Sequence, residues 1–81
     1  MSKIRYTRPG SPALKVFGKK VRDRRRGRGM SQNGVAILAG TTQSTVAHVE
    51  SGMSNSTVET LEAIARALGA DLKIDFQLRS R

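Results

Sequence analysis

Gly40-Thr41-Thr42-Gln43-Ser44-Thr45-Val46-Ala47-His48-Val49-Glu50-Ser51-Gly52 decides how this chain reads. It has the pattern of a short helix opened by hydroxyl residues and closed by glycine. Thr41 is the expected N-cap, its side-chain oxygen accepting from a free N–H of the first turn. Gly52 stands where the left-handed residue after a helix is easiest for glycine. Only Val46 and Val49 are large and apolar, with Ala47 beside them, so the buried stripe is narrow. The opposite face carries Gln43, Ser44, Thr45 and His48, uncharged groups that both donate and accept hydrogen bonds. Such a helix suits the reading of base edges in the major groove of duplex DNA.

The preceding stretch, Ser31-Gln32-Asn33-Gly34-Val35-Ala36-Ile37-Leu38-Ala39-Gly40, reads as a helix with Val35, Ala36 and Ala39 inward. Gly40 then turns sharply into Thr41. Helix, short glycine-containing turn and helix together make a helix-turn-helix pattern. Gly29-Met30-Ser31-Gln32, Val35-Ala36, Ala39-Gly40, Thr42-Gln43-Ser44-Thr45-Val46 and Val49-Glu50-Ser51-Gly52 carry a closer likeness, extended by Thr57-Val58-Glu59-Thr60-Leu61 and Ile64-Ala65-Arg66-Ala67-Leu68-Gly69. On these residues the chain resembles the lambda-repressor-like (Xre-type) family of helix-turn-helix DNA-binding domains, over roughly residues 14–70.

The resemblance implies a mostly α fold of four to five helices and a site assembled residue by residue. Gln32 would contact a phosphate and brace Gln43, which becomes the candidate for bidentate recognition of an adenine edge. Ser44 and His48 occupy the next base-facing positions, with Thr45 beside them. Ser31 and Thr42 are placed to meet phosphates. Arg25 matches the position whose guanidinium pairs with the glutamate ending the recognition helix, here Glu50, and a bidentate pair would aim the arginine at a phosphate. Arg28 is a further phosphate candidate. In the loop Met53-Ser54-Asn55-Ser56, Ser54 and Asn55 are expected on the sugar-phosphate backbone, and Met53 is expected to tuck inward.

Charge supports a polyanionic partner. The chain has 81 residues and a net charge of +9. Residues 1–28 hold eleven lysines and arginines against Asp23 alone, whereas residues 29–81 hold four against five acids. Phosphate contact with release of counterions is the natural use of that asymmetry. A basic helix kept for solubility is the plain alternative.

Other classes are disfavoured. There is no cysteine, so disulfides and thiolate metal sites are unavailable, and His48 is the only histidine. No nucleophile stands with a base, so catalysis and a cofactor are not expected. Tyr6, Phe17 and Phe76 are few for a single-strand binder that stacks bases on aromatic rings. No apolar run approaches the ~20 residues of a membrane span, and the N-terminus lacks a signal peptide's apolar segment. A cytoplasmic protein, bacterial or phage-encoded and associated with the nucleoid, is the expectation.

Taken in order, residues 1–11 form a basic arm in which Ile4 and Tyr6 alternate with Lys3, Arg5 and Thr7. It could be a short strand, a tail, or an arm reaching into a minor groove. The first helix is expected to start at Ser11-Pro12, with Leu14, Phe17, Val21 and the stem of Arg24 or Arg25 inward, and to end around Gly27 to Gly29. Gly34 stands inside the second helix, where glycine costs about 1 kcal/mol relative to alanine. Ile37 and Leu38 stand where the family has polar surface; they either cover the first helix or form an exposed patch. The last helix is capped by Ser56 or Thr57, repeats Val58, Leu61, Ile64, Ala65 and Leu68 inward, and ends at Gly69.

Residues 71–78 alternate without a break: Leu72, Ile74, Phe76 and Leu78 point one way and Asp71, Lys73, Asp75 and Gln77 the other. A lone strand leaves its N–H and C=O groups unpaired, so it needs a partner strand. Ile4 to Tyr6 is one; the same strand of a second subunit is the other. The second arrangement resembles the antitoxin subunits of toxin–antitoxin pairs, of the HipB-like kind. It would add a cognate toxin as a partner. The organisation expected is therefore a basic arm (1–11), a helix-turn-helix domain (12–70) and a dimerising strand (71–78). The function expected is a homodimeric repressor on a palindromic double-stranded DNA operator. A helix-turn-helix adaptor bridging transcription proteins, or a basic RNA-associated protein, are the readings from other classes.

Overall fold

The computed structural model describes residues 12–53 and 56–73. Four helices follow in order among them: α1 (Pro12–Gly27), α2 (Gln32–Ala39), α3 (Gln43–Ser51) and α4 (Val58–Ala67). Residues 1–11, Ser54 and Asn55, and Ile74, Phe76 and Leu78 lie outside the described residues, and with them the arm, the loop contacts and most of the expected strand.

Each boundary has a local chemical cause. Pro12 opens α1 at the position where a missing N–H costs nothing. Ser31 Oγ accepts from Gly34 N at 2.9 Å and starts α2. Gly40 ends α2 with φ +70°, which lets Thr41 N reach back to Ala36 O at 2.9 Å. The cap of α3 is Thr42, not Thr41: its Oγ1 accepts from Thr45 N at 3.1 Å. The tight turn through Gly40 uses Thr41 as a connector and leaves Thr42 with the extended backbone that a cap requires. Gly52 closes α3 in the left-handed region, and Thr57 caps α4 through Thr60 N.

The apolar residues of all four helices meet in one core. Val35, Val46, Val49 and Ile64 are the largest fully buried side chains, with Val21, Leu61 and Leu68 nearly so. Burying a side chain of this size contributes about 1.5–3 kcal/mol. α3 packs against both α1 and α2, and α2 also packs against α4. α3 is thus clamped on two sides, and its Val46–Val49 edge is anchored. Ala39 and Phe17 are partly buried against the same core.

Two expectations are settled by exposure. Ile37 and Leu38 are 71% and 65% exposed, so they cover nothing on α1 and form a surface patch. Met53 does not tuck inward; it is exposed, because the turn at Gly52 carries the chain away from the core filled by Val46 and Val49. After α4, Leu72 packs half-buried against the core beside an open groove of about 640 Å³ lined by Phe17, Val21 and Leu68.

Candidate nucleic-acid interface

A hydrogen-bonded chain links the scaffold to the first residue of α3. The Arg25 guanidinium donates to both oxygens of Glu50, Nε to Oε2 at 2.5 Å and Nη2 to Oε1 at 3.0 Å. Its Nη1 donates to Met30 O at 3.0 Å, tying in the turn before α2. Gln32 Nε2 donates to Glu50 Oε1 at 3.2 Å, and Gln43 Nε2 reaches Gln32 Oε1 at 3.5 Å. The pairing of Arg25 with Glu50 and of Gln32 with Gln43 is therefore present in the geometry.

Glu50 is buried, 5% exposed, yet stays charged. Burial pushes its carboxyl up. The hydrogen bonds from Arg25 and Gln32, with the charges of Arg25 and Arg22, pull the other way and leave it below the ordinary carboxylate value. Arg25 is raised, chiefly by its hydrogen bond to Glu50. A buried bidentate pair of this kind fixes geometry more than it adds stability. Here it fixes α1, the turn before α2 and the end of α3 against one another.

Outward from this chain, Gln43, Ser44 and His48 are exposed on α3. Thr45 is half-buried, and its hydroxyl lies 3.0 Å from that of the cap Thr42, so its hydrogen-bonding is shared with the helix start. Ser31 and Thr42 are exposed caps at the starts of α2 and α3, where unsatisfied N–H groups and the helix dipole favour an anion. Ser31, Gln32, Thr42, Gln43 and Ser44 thus lie at the starts of the two helices, where Gln32 meets Gln43, and His48 stands in the last turn of α3. Arg28 does not join them: its guanidinium stands over Gly69, and Arg24 Nε donates to Leu68 O at 2.9 Å, both at the end of α4.

Two residues escaped the sequence reading. Arg22 was one cation among many, and nothing in its spacing marked it. Its Nη2 donates to Glu50 O at 3.4 Å, at the end of α3. Gly18 carried a readable signal, a glycine on the apolar stripe between Leu14 and Val21. A Cβ there would stand 2.7 Å from Glu50 O and closer still to Val49 O, so glycine is what lets α1 approach the backbone of α3. Among the described residues no group of His, Asp or Glu could hold a metal ion, and no helix is long and apolar enough to cross a membrane.

Residues 16–73 match the family model of a helix-turn-helix domain. The chain belongs to that family, in its lambda-repressor-like branch, and is a DNA-binding transcription regulator. Among solved structures it is similar to the restriction-modification controller protein C.AhdI from Aeromonas hydrophila, at 33% identity and a TM-score of 0.71, over 75% of this chain and 92% of that one. No curated protein matches.

Proposed function

We propose that the protein is a sequence-specific repressor that binds double-stranded DNA as a homodimer on a palindromic operator and has no catalytic role. The observation that carries this reading is the chain Arg25–Glu50–Gln32–Gln43, which holds an exposed amide at the start of α3. A braced glutamine amide is suited to the paired acceptor and donor of an adenine edge. Ser44, Thr45 and His48 extend base contact along α3. Ser31, Gln32, Thr42 and Arg25 would hold phosphates, Arg28 is an outlying candidate, and Ser54 and Asn55 are the candidates from the loop before α4.

Residues 71–78 would supply the dimer. Leu72 lies against the core, and a strand period of two would put Ile74, Phe76 and Leu78, which lie outside the described residues, in line with it. Two-fold pairing would set the recognition helices about 34 Å apart, one turn of duplex. The likeness to a restriction-modification controller protein supports a regulatory role over the antitoxin one. The exposed pair Ile37 and Leu38 favours a second reading, an adaptor that also docks a protein. Such an adaptor would lose function with those residues and keep it without Gln43.

The test is binding to the duplex upstream of the protein's own gene, beside a scrambled duplex. A preference of at least ~1,000-fold is expected. Gln43→Ala should cost about 1–3 kcal/mol on the upstream site and little on the scrambled one. Equal losses on both would remove Gln43 from base reading.

A further inference from the structure

The cations of α1 and of the turn after it divide by what they touch. Arg24 and Arg28 turn to the end of α4, and Arg25 is engaged with Glu50. Lys15, Lys19, Arg22 and Arg26 follow at spacings of four, three and four, which at 3.6 residues per turn keeps them within about 60° of arc in a row about 16 Å long. Lys15, Lys19 and Arg26 are exposed and Arg22 is half-buried.

Two contacts fix which edge of α1 carries this row. The backbone of Lys15 lies against Gly52, where an added Cβ would stand 2.9 Å from Lys15 Cα. Arg22 donates to Glu50 O, and its Nε lies 3.9 Å from Glu50 Oε1, so it shares the Glu50 carboxylate with Arg25 while remaining half-buried at the edge. Between them Gly18 lets the two backbones approach. The row is therefore flush with the end of α3, where the chain leaves towards the loop before α4. Asp23 is the one acid on α1, and it pairs with Lys19 at 2.7 Å. Lys15 and Arg26 form no salt bridge among the described residues, although the charge of Arg26 also acts on Asp23.

We infer that Lys15, Lys19, Arg22 and Arg26 form a second phosphate-binding track, lying along the DNA backbone beside the groove that α3 enters. The inference rests on the duplex-binding reading above and adds residues that the helix-turn-helix itself does not supply. Phosphates of one strand recur about every 3.4 Å along the duplex axis, so a row of this length passes several of them. Such contacts fix position and orientation without reading sequence. They also account for an excess of charge concentrated on one helix, which base reading does not require.

The test compares three forms of the full chain on both duplexes across a salt series, with circular dichroism first. The track variant is Lys15→Gln/Lys19→Gln/Arg26→Gln, which leaves Arg22 and Arg25 in place. The control, Lys20→Gln/Arg66→Gln/Lys73→Gln, removes the same charge from other surfaces. With a slope of about 0.9 per phosphate contact, the track variant should flatten the salt dependence by about 2.7. Between 50 and 200 mM salt it should lose about 40-fold less affinity than the unaltered protein. The ratio between the two duplexes should not change, and the control should keep the full slope. An unchanged slope in the track variant, or equal flattening in the control, overturns the track. Equal binding of both duplexes by the unaltered protein would overturn the operator reading and leave the track standing on its slope. If the triple variant loses helicity, Arg26→Gln alone carries the test, with an expected flattening of about 0.9.

Discussion

Replacing Gly18 by alanine pits two effects of known size against each other. In a helix interior alanine is favoured over glycine by about 1 kcal/mol. Against this, the new Cβ would stand 2.7 Å from Glu50 O and nearer to Val49 O. Both are backbone oxygens, so no side chain can rotate to relieve the contact, and α1 must move off α3. Overpacking costs about 1–3 kcal/mol, and two rigid neighbours place this case near the top of that range. The net expectation is a loss of about 2 kcal/mol, or a fall of about 8–16 °C in Tm for a domain of this size. Gly27 provides the internal reference, since a Cβ there meets nothing within 4 Å and its φ is not positive. Gly27→Ala should be neutral or raise Tm, by up to about 8 °C. Thermal unfolding followed by circular dichroism reads both. If Gly18→Ala melts with or above Gly27→Ala, the two backbones are not in contact, and the placement of the basic row beside α3 falls with them.

Glu50 ties stability to pH. Its folded value lies below the unfolded one, so the stabilisation is present above the unfolded value of about 4.3 and is lost as pH falls through the lower folded value. Glu50→Gln should cost about 3–5 kcal/mol at pH 7 by leaving Arg25 uncompensated, and the gap from the unaltered protein should narrow below about pH 4; urea unfolding at both pH values measures this, and a constant gap would contradict it. Thr42→Ala should cost about 1 kcal/mol as a lost cap while Thr41→Ala stays within about 0.5, read by the same urea titration.

The helices were legible because their signals are local. Pro12, Ser31, Gly40, Gly52 and the apolar spacing each state a boundary within a few residues. The pairs Arg25–Glu50 and Gln32–Gln43 became legible only through resemblance, since partners 25 and 11 positions apart share no local pattern. Thr41 and Thr42 were adjacent caps of equal chemistry, and only the exact path of the turn at Gly40 chose between them. Met53 was apolar beside an apolar core, and its orientation depended on where the chain pointed after Gly52. The cations of α1 and of the turn after it looked alike in composition; what separated Arg22 from Arg28 was which neighbouring helix each one reached.

On the proposed reading, in which α3 meets base edges, the way α3 is fastened has a consequence for retargeting. Its attachment rests on Val46, Val49, Glu50 and the end pieces Thr42 and Gly52. Ser44 and His48 lie outside that set, exposed and without side-chain bonds to the rest of the domain among the described residues. The helix is in effect an interchangeable key blade on a fixed bow. New side chains can be cut into positions 44 and 48 without reworking the parts that seat it. Gln43 is the exception, because its amide is also part of the seat.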